Sequence, residues 1–152
     1  MDGQPPGSVT VMPVLAGTSG WQYRHWRGAF YPQGVPQRRW LEYYAGQFGT
    51  VENTSTFYRL PARETFEQWR ARTPDGFVMA VKASRYLSHV RRLRDPAEPV
   101  SRMLGVLSGL GDKLGPVLIQ LPPGMGEASI QPSGAAICRP PLSSWASRVS
   151  SP

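Results

Sequence analysis

The acidic, amine and imidazole side chains of this chain cluster just after short apolar runs, where a strand releases its last residues into a loop. Glu52 closes the run Thr50-Val51-Glu52 and leads into Asn53-Thr54-Ser55-Thr56-Phe57-Tyr58-Arg59. A carboxylate on an apolar strand is costly to bury unless a cation or a metal partners it. Glu52 is therefore a candidate acid/base or ligand-binding group, and a structural ion pair is its plainer role. Lys82 follows the apolar run Phe77 to Val81 directly, with Ser84 and Arg85 just beyond. A lysine emerging there can act as an electrostatic clamp, as a base with a lowered pKa, or as a Schiff-base amine. An ion pair between Glu52 and Lys82 across adjacent strands would account for both residues equally well.

Two further clusters supply binding groups. Gly17-Thr18-Ser19-Gly20-Trp21 continues through Tyr23, Arg24, His25, Trp26, Phe30 and Tyr31. Aromatic rings interleaved with arginines can stack a sugar ring or a base while the guanidinium groups meet phosphate. Sealing one end of the fold is the alternative role for the same rings. His89 sits with Arg85, Arg91, Arg92 and Arg94 in a dense positive loop. Phosphate or another small anion is its natural ligand, and a solvated arginine loop is the plainer account. Thr56, Tyr58 and Gln120 add polar contacts at strand ends. His25 and His89 are the only histidines, and neither has a metal-ligand spacing such as H-x-x-x-H. No metal is expected, and the residues name no cofactor.

The elements that would position these groups alternate regularly. Val14-Leu15-Ala16, Thr50-Val51-Glu52, Phe77 to Val81 and Val117 to Leu121 read as four strands. Pro36 to Phe48, Arg63 to Arg72 and Val100 to Leu114 read as the intervening helices, each with apolar residues at three- and four-residue spacings. Gly115-Pro116 reads as the break after the third helix, and Ser84 to Pro99 as a polar loop. Strands alternating with helices indicate a parallel sheet covered by helices. Right-handed crossovers then bring every strand's C-terminal end to one face. An open doubly wound sheet and a segment of an eight-stranded barrel both satisfy the pattern. There is no G-x-G-x-x-G phosphate fingerprint, which weakens the dinucleotide-binding version.

With 152 residues the chain has room for one ordinary domain, and 40% hydrophobic content suffices for a core. The net charge is +7, carried almost wholly by arginine, with Lys82 and Lys113 the only lysines. A basic balance suits anionic partners, but an arginine bias of this kind is also what a GC-rich genome produces. A small anion therefore ranks ahead of nucleic acid as a partner. One cysteine, Cys138, excludes an internal disulfide. No apolar run reaches the ~18 residues of a membrane span, and the first residues lack the basic and apolar regions of a signal peptide. Cytoplasm is the default expectation. The regular pattern ends at Pro123, and Gly124 to Pro152 is rich in Ser and Pro with no period. The expected organisation is a flexible lead-in over 1–12, a strand-helix domain over 13–123, and a disordered or out-of-frame tail over 124–152.

At these residues the chain resembles a known family. Gly17-Thr18-Ser19-Gly20-Trp21, His25-Trp26, Phe30-Tyr31-Pro32, Val51-Glu52, Thr56-Phe57-Tyr58-Arg59, Ala80-Val81-Lys82-Ala83, His89, Arg92-Leu93 and Gln120-Leu121-Pro122-Pro123 are similar, in order, to blocks of the YecE-like family, domain of unknown function 72. The resemblance implies a TIM-type barrel, of which this chain would hold the N-terminal half, and it implies no reaction. Asn53 and Thr54 depart from the family pattern of an apolar residue followed by Asn. A polar Asn53 is expected to weaken local packing. The family's later strands, with a Glu-Phe-Arg-His block, have no match in Gly124 to Pro152. The chain is therefore expected to be a truncated product with an incomplete small-molecule site. Its open sheet edges would favour self-association.

Overall fold

The computed structural model describes residues 14–125. The expected lead-in and, beyond Met125, the expected tail lie outside the described residues. Within them the order is helix α1 (Trp40–Ala45), strand β1 (Thr50–Asn53), helices α2 (Ser55–Tyr58) and α3 (Arg63–Ala71), strand β2 (Val78–Lys82), helix α4 (Ala97–Leu107) and strand β3 (Leu114–Leu118). The strands form one parallel sheet in the order β1-β2-β3. Thr50 pairs with Val78 and Asn53 with Val81, so β1 and β2 run in simple register.

Each element follows from local chemistry. Pro36 fixes an extended entry into a short 3-10 turn, Gln37–Arg39, which runs into α1. α1 buries Trp40, Leu41, Tyr44 and Ala45. α3 buries Phe66, which is fully enclosed in the same apolar cluster as Met103 and Leu107 of α4. Burying one such side chain stabilises the fold by about 1.5–3 kcal/mol. Tyr31 stacks on Trp40 at 4.4 Å with the rings 3° from parallel. Its hydroxyl donates to the Trp21 carbonyl at 2.6 Å. Burial, with Tyr44 beside it, pushes that hydroxyl far above the usual tyrosine range.

The sheet has two unlike faces. Successive side chains alternate between faces. Val51, Asn53, Met79 and Val81 are buried with the helices, while Thr50, Glu52, Val78, Ala80 and Lys82 are half-exposed on the other face. A parallel sheet normally has both faces covered. Here the described residues cover one.

Three expectations need correction. Val14-Leu15-Ala16 does not form a strand. Val14 is exposed, and the segment meets the sheet through a Glu52 N–H bond to the Thr18 carbonyl at 3.0 Å. Gly17 permits that approach, since a Cβ there would lie 2.1 Å from the Thr50 carbonyl oxygen. The last strand begins three residues earlier than its apolar run suggests and includes Gly115-Pro116. Proline is tolerated at an edge strand or a bulge. The register slips here, since Met79 faces Leu114 and Val81 faces Val117. Gly115 lies against β2, where a Cβ would sit 2.6 Å from the Val78 side chain. Finally, the polar loop after β2 contains a wide helical turn, Tyr86–Val90, closed by Arg91 N–H to the Tyr86 carbonyl at 2.8 Å.

Candidate functional site

Parallel pairing brings the C-terminal ends of the three strands to one side, and the predicted groups divide there into two layers. On the half-exposed face, Glu52 accepts a hydrogen bond from the Ser19 hydroxyl at 2.8 Å. Lys82 is one strand over, and its Nζ stands 5.2 Å from the centre of the Phe57 ring. The register sets Glu52 opposite Ala80, two residues short of Lys82. The expected ion pair between them is absent among the described ion pairs. Each charge keeps a weak local partner and an open side.

Beneath that face the strand ends are tied together. Thr56, fully buried on α2, directs its hydroxyl at the Lys82 carbonyl at 2.6 Å and the Asn53 carbonyl at 2.9 Å. Thr56 therefore joins the exits of β1 and β2. It positions Lys82 and does not contact solvent, so its place in the site is structural. Phe57, the next residue, carries the Lys82 contact on its ring and meets His89 edge-on at 5.1 Å. His89 Nδ1 lies 2.9 Å from the hydroxyl of buried Ser88. The wide turn after β2 thus delivers His89 to the same corner as Lys82, the juxtaposition expected from their places after one strand.

Asn53 has a turn-forming role that its residue type alone does not announce. It is 1% exposed, and its Oδ1 accepts from the Ser55 N–H at 3.1 Å and the Ser55 hydroxyl at 2.7 Å. It starts the α2 turn by the side-chain mimicry that Asn and Asp offer. The signal was present in Asn53-Thr54-Ser55, where a turn-forming residue precedes a hydroxyl two positions on. Its Nδ2, though buried, has no hydrogen-bond partner.

The remaining predicted residues do not converge. Trp21 is buried, edge-on to Trp69 at 5.4 Å, and seals the end of the fold. It also lines a cleft of about 150 Å³ with Gly20, Gln22, Tyr23, Asn53, Thr54, Ser55 and Trp69. His25 is exposed and packs loosely beside Tyr23 and Trp26. Tyr58 is 75% exposed and Gln120 is exposed beyond β3. Arg85, Arg92 and Arg94 are exposed, and Arg91 pairs with Asp95 at 3.3 Å. The arginines do not form a closed anion cradle. Among the described residues no group of three His, Cys, Asp or Glu is gathered as a metal would need. No helix among them is long and apolar enough to cross a membrane.

A parallel strand-helix chain with its polar groups at the strand exits is the class defined by this geometry. The family described as protein of unknown function DUF72 matches residues 15–134, and the chain belongs to that family. The UPF0759 protein YecE of Escherichia coli, from two strains, is 36% identical over 86 residues, which is 57% of this chain and 32% of the relative. A DUF72 family protein of Thermotoga maritima superposes with a TM-score of 0.62 at 30% identity, over 71% of this chain and 44% of that one. A DUF72 family protein of Enterococcus faecalis shares the fold at a TM-score of 0.50 and 19% identity, over 72% of this chain and 41% of its own. The chain therefore spans about a third of the curated relatives it matches and under half of these solved ones.

Proposed function

We propose that this DUF72 chain carries part of a small-molecule site at the strand C-terminal ends of a TIM-type barrel. Glu52 is its acid/base or ligand-binding carboxylate and Lys82 its electrostatic clamp. The observation behind this is that both charges occupy one half-exposed sheet face, at neighbouring strand exits, without neutralising each other. In a parallel barrel that face is the interior, and its strand exits are where chemistry is assembled. His89, held near Lys82 through Phe57, is a third contributor. The chain spans under half of its solved relatives, and the proposal concerns only the groups that these residues supply.

A lysine flanked by a carboxylate suits a small ligand with an anionic end. The test is a thermal-shift and calorimetric screen of malonate, citrate and inorganic phosphate against the chain and its Lys82→Met and Glu52→Gln variants. At least one anion is expected to stabilise the wild type, with binding about tenfold weaker in Lys82→Met. Equal binding by wild type and Lys82→Met, or no binding by any of the three, rejects the proposal.

A further inference from the structure

We infer that Ser88 is a positioning residue of the proposed site. Its buried hydroxyl fixes the His89 ring so that Nε2–H is offered as a hydrogen-bond donor to the anionic oxygens of the ligand that Lys82 attracts. The ligand half of this inference rests on the function proposed above, and the ring assignment rests on geometry alone. The labour at the strand exits is then divided: Lys82 and His89 donate, and Glu52 is the group left to accept a proton.

Three observations carry it. The first is a bond with one workable direction. Ser88 is 0% exposed, and its hydroxyl oxygen lies 2.9 Å from His89 Nδ1, its one side-chain hydrogen bond among the described residues. If Nδ1–H donated, the Ser88 hydroxyl hydrogen would be buried without an acceptor. An unmet buried donor costs more than an average hydrogen bond contributes. The hydroxyl therefore donates, Nδ1 accepts, and the neutral ring carries its hydrogen on Nε2. The second is access. Among the described residues the buried unpaired side-chain atoms are Asn53 Nδ2 and Arg91 Nε, and His89 Nε2 is not one of them. On a half-exposed ring, Nε2 therefore reaches solvent, where a ligand can meet it. The third is place. The His89 ring lies 5.1 Å from the Phe57 ring, and Lys82 Nζ stands 5.2 Å from the centre of that same ring. No more than the sum of those distances separates the His89 ring centre from the amine. An anion with several oxygens, meeting each donor through a hydrogen bond, fits such a span.

The chain is labelled with ¹⁵N in histidine, where exposed His25 gives the only other ring signals and serves as reference. Two-bond proton–nitrogen spectra at about pH 8, where an ordinary imidazole is neutral, report the tautomer of each ring. His89 is expected in the Nε2–H form alone in the wild type and as a mixture in Ser88→Ala. Citrate, malonate and inorganic phosphate are then titrated in while the His89 nitrogens and the Lys82 side chain are followed. Citrate should move both saturably and leave His25 in place. His89→Ala should weaken citrate binding about tenfold, the loss of one hydrogen bond to a charged group. Ser88→Ala should weaken it about threefold, because the ring must then be ordered on binding. The inference is overturned if wild-type His89 carries Nδ1–H, alone or in a mixture, or if folded His89→Ala or Ser88→Ala binds citrate undiminished. It is overturned equally if an anion moves Lys82 and none moves His89, an outcome that leaves the Lys82 reading standing. If neither signal responds to any of the three anions, both readings fall. Should a variant fail to fold, the tautomer and the His89 response in the wild type decide.

Discussion

Thr56 shows how one side chain can hold a site it does not face. Its hydroxyl reaches the carbonyls of Asn53 and Lys82, the last residues of adjacent strands. Thr56→Val keeps the volume and removes the donor, leaving buried carbonyl groups short of a partner. Stability to urea should fall by about 1–3 kcal/mol, and an unchanged unfolding midpoint would rule out the tie. Gly17 is a second sensitive position, for a steric reason. Any side chain there meets the Thr50 carbonyl at 2.1 Å, so Gly17→Ala should displace the segment that brings Ser19 to Glu52. The check is the Ser19 and Glu52 contact in a structure of the variant; its survival would show that the segment adjusts freely. Asn53 starts a turn through its Oδ1, while its buried Nδ2 has no partner among the described residues. Its polarity is legible in the sequence, whereas the turn depends on Ser55 two residues on.

At the scale of elements, helices α1 and α3 are tied by an ion pair across the surface. Arg72 donates Nε to Glu42 Oε1 at 3.0 Å and Nη2 to Oε2 at 2.9 Å. That bond from Arg72 holds the Glu42 carboxyl below the usual glutamate range. The depressed value means the contribution is fully present above the unfolded pKa of about 4.3 and fades as the pH falls through the folded value. Both side chains are about a third exposed, so solvent screening limits the pair to about 1 kcal/mol or less. Glu42→Gln should lose that stability at neutral pH and show a shallower acid decline. Identical acid limbs for wild type and variant in pH-dependent urea melts would contradict it. Lys113 does a similar task inside the fold, donating to the Arg70 and Thr73 carbonyls at the end of α3 while itself buried. Elements with strong continuous signals were legible in the residues. Phe77 to Val81 became β2 because it is apolar throughout and enclosed, and Arg63 to Arg72 became α3 because its apolar spacing is helical. Val14-Leu15-Ala16 was apolar but has Val14 exposed, so composition alone misled. β3 was misplaced because Gly115-Pro116 signals a break locally, while an edge with a register slip accommodates it. The turn at Tyr86–Val90 was hidden among arginines, although buried Leu87 and Ser88 anchor it.

At the scale of the whole molecule, the described residues form a parallel sheet covered on one face. Leu118 is half-exposed, and β3 has no strand beyond it among the described residues. An edge of this kind invites pairing with another chain, and the half-exposed face offers it little opposition. The chain is therefore expected to self-associate. Sedimentation velocity across a concentration series should show species larger than a monomer, and a single monomer at all concentrations would count against open edges. The central claim, however, concerns Lys82 as the clamp of a strand-end site. The chain offers a direct reading of it, because Lys82 and Lys113 are its only lysines and only Lys113 is buried. Selective ¹³C labelling of lysine yields two side-chain signals, one for the proposed site and one as an internal control. Titration with malonate, citrate and phosphate should move the Lys82 signal saturably and leave Lys113 in place. If Lys82 stays still under all three anions, or only drifts in proportion as Lys113 does, the site proposed here is wrong.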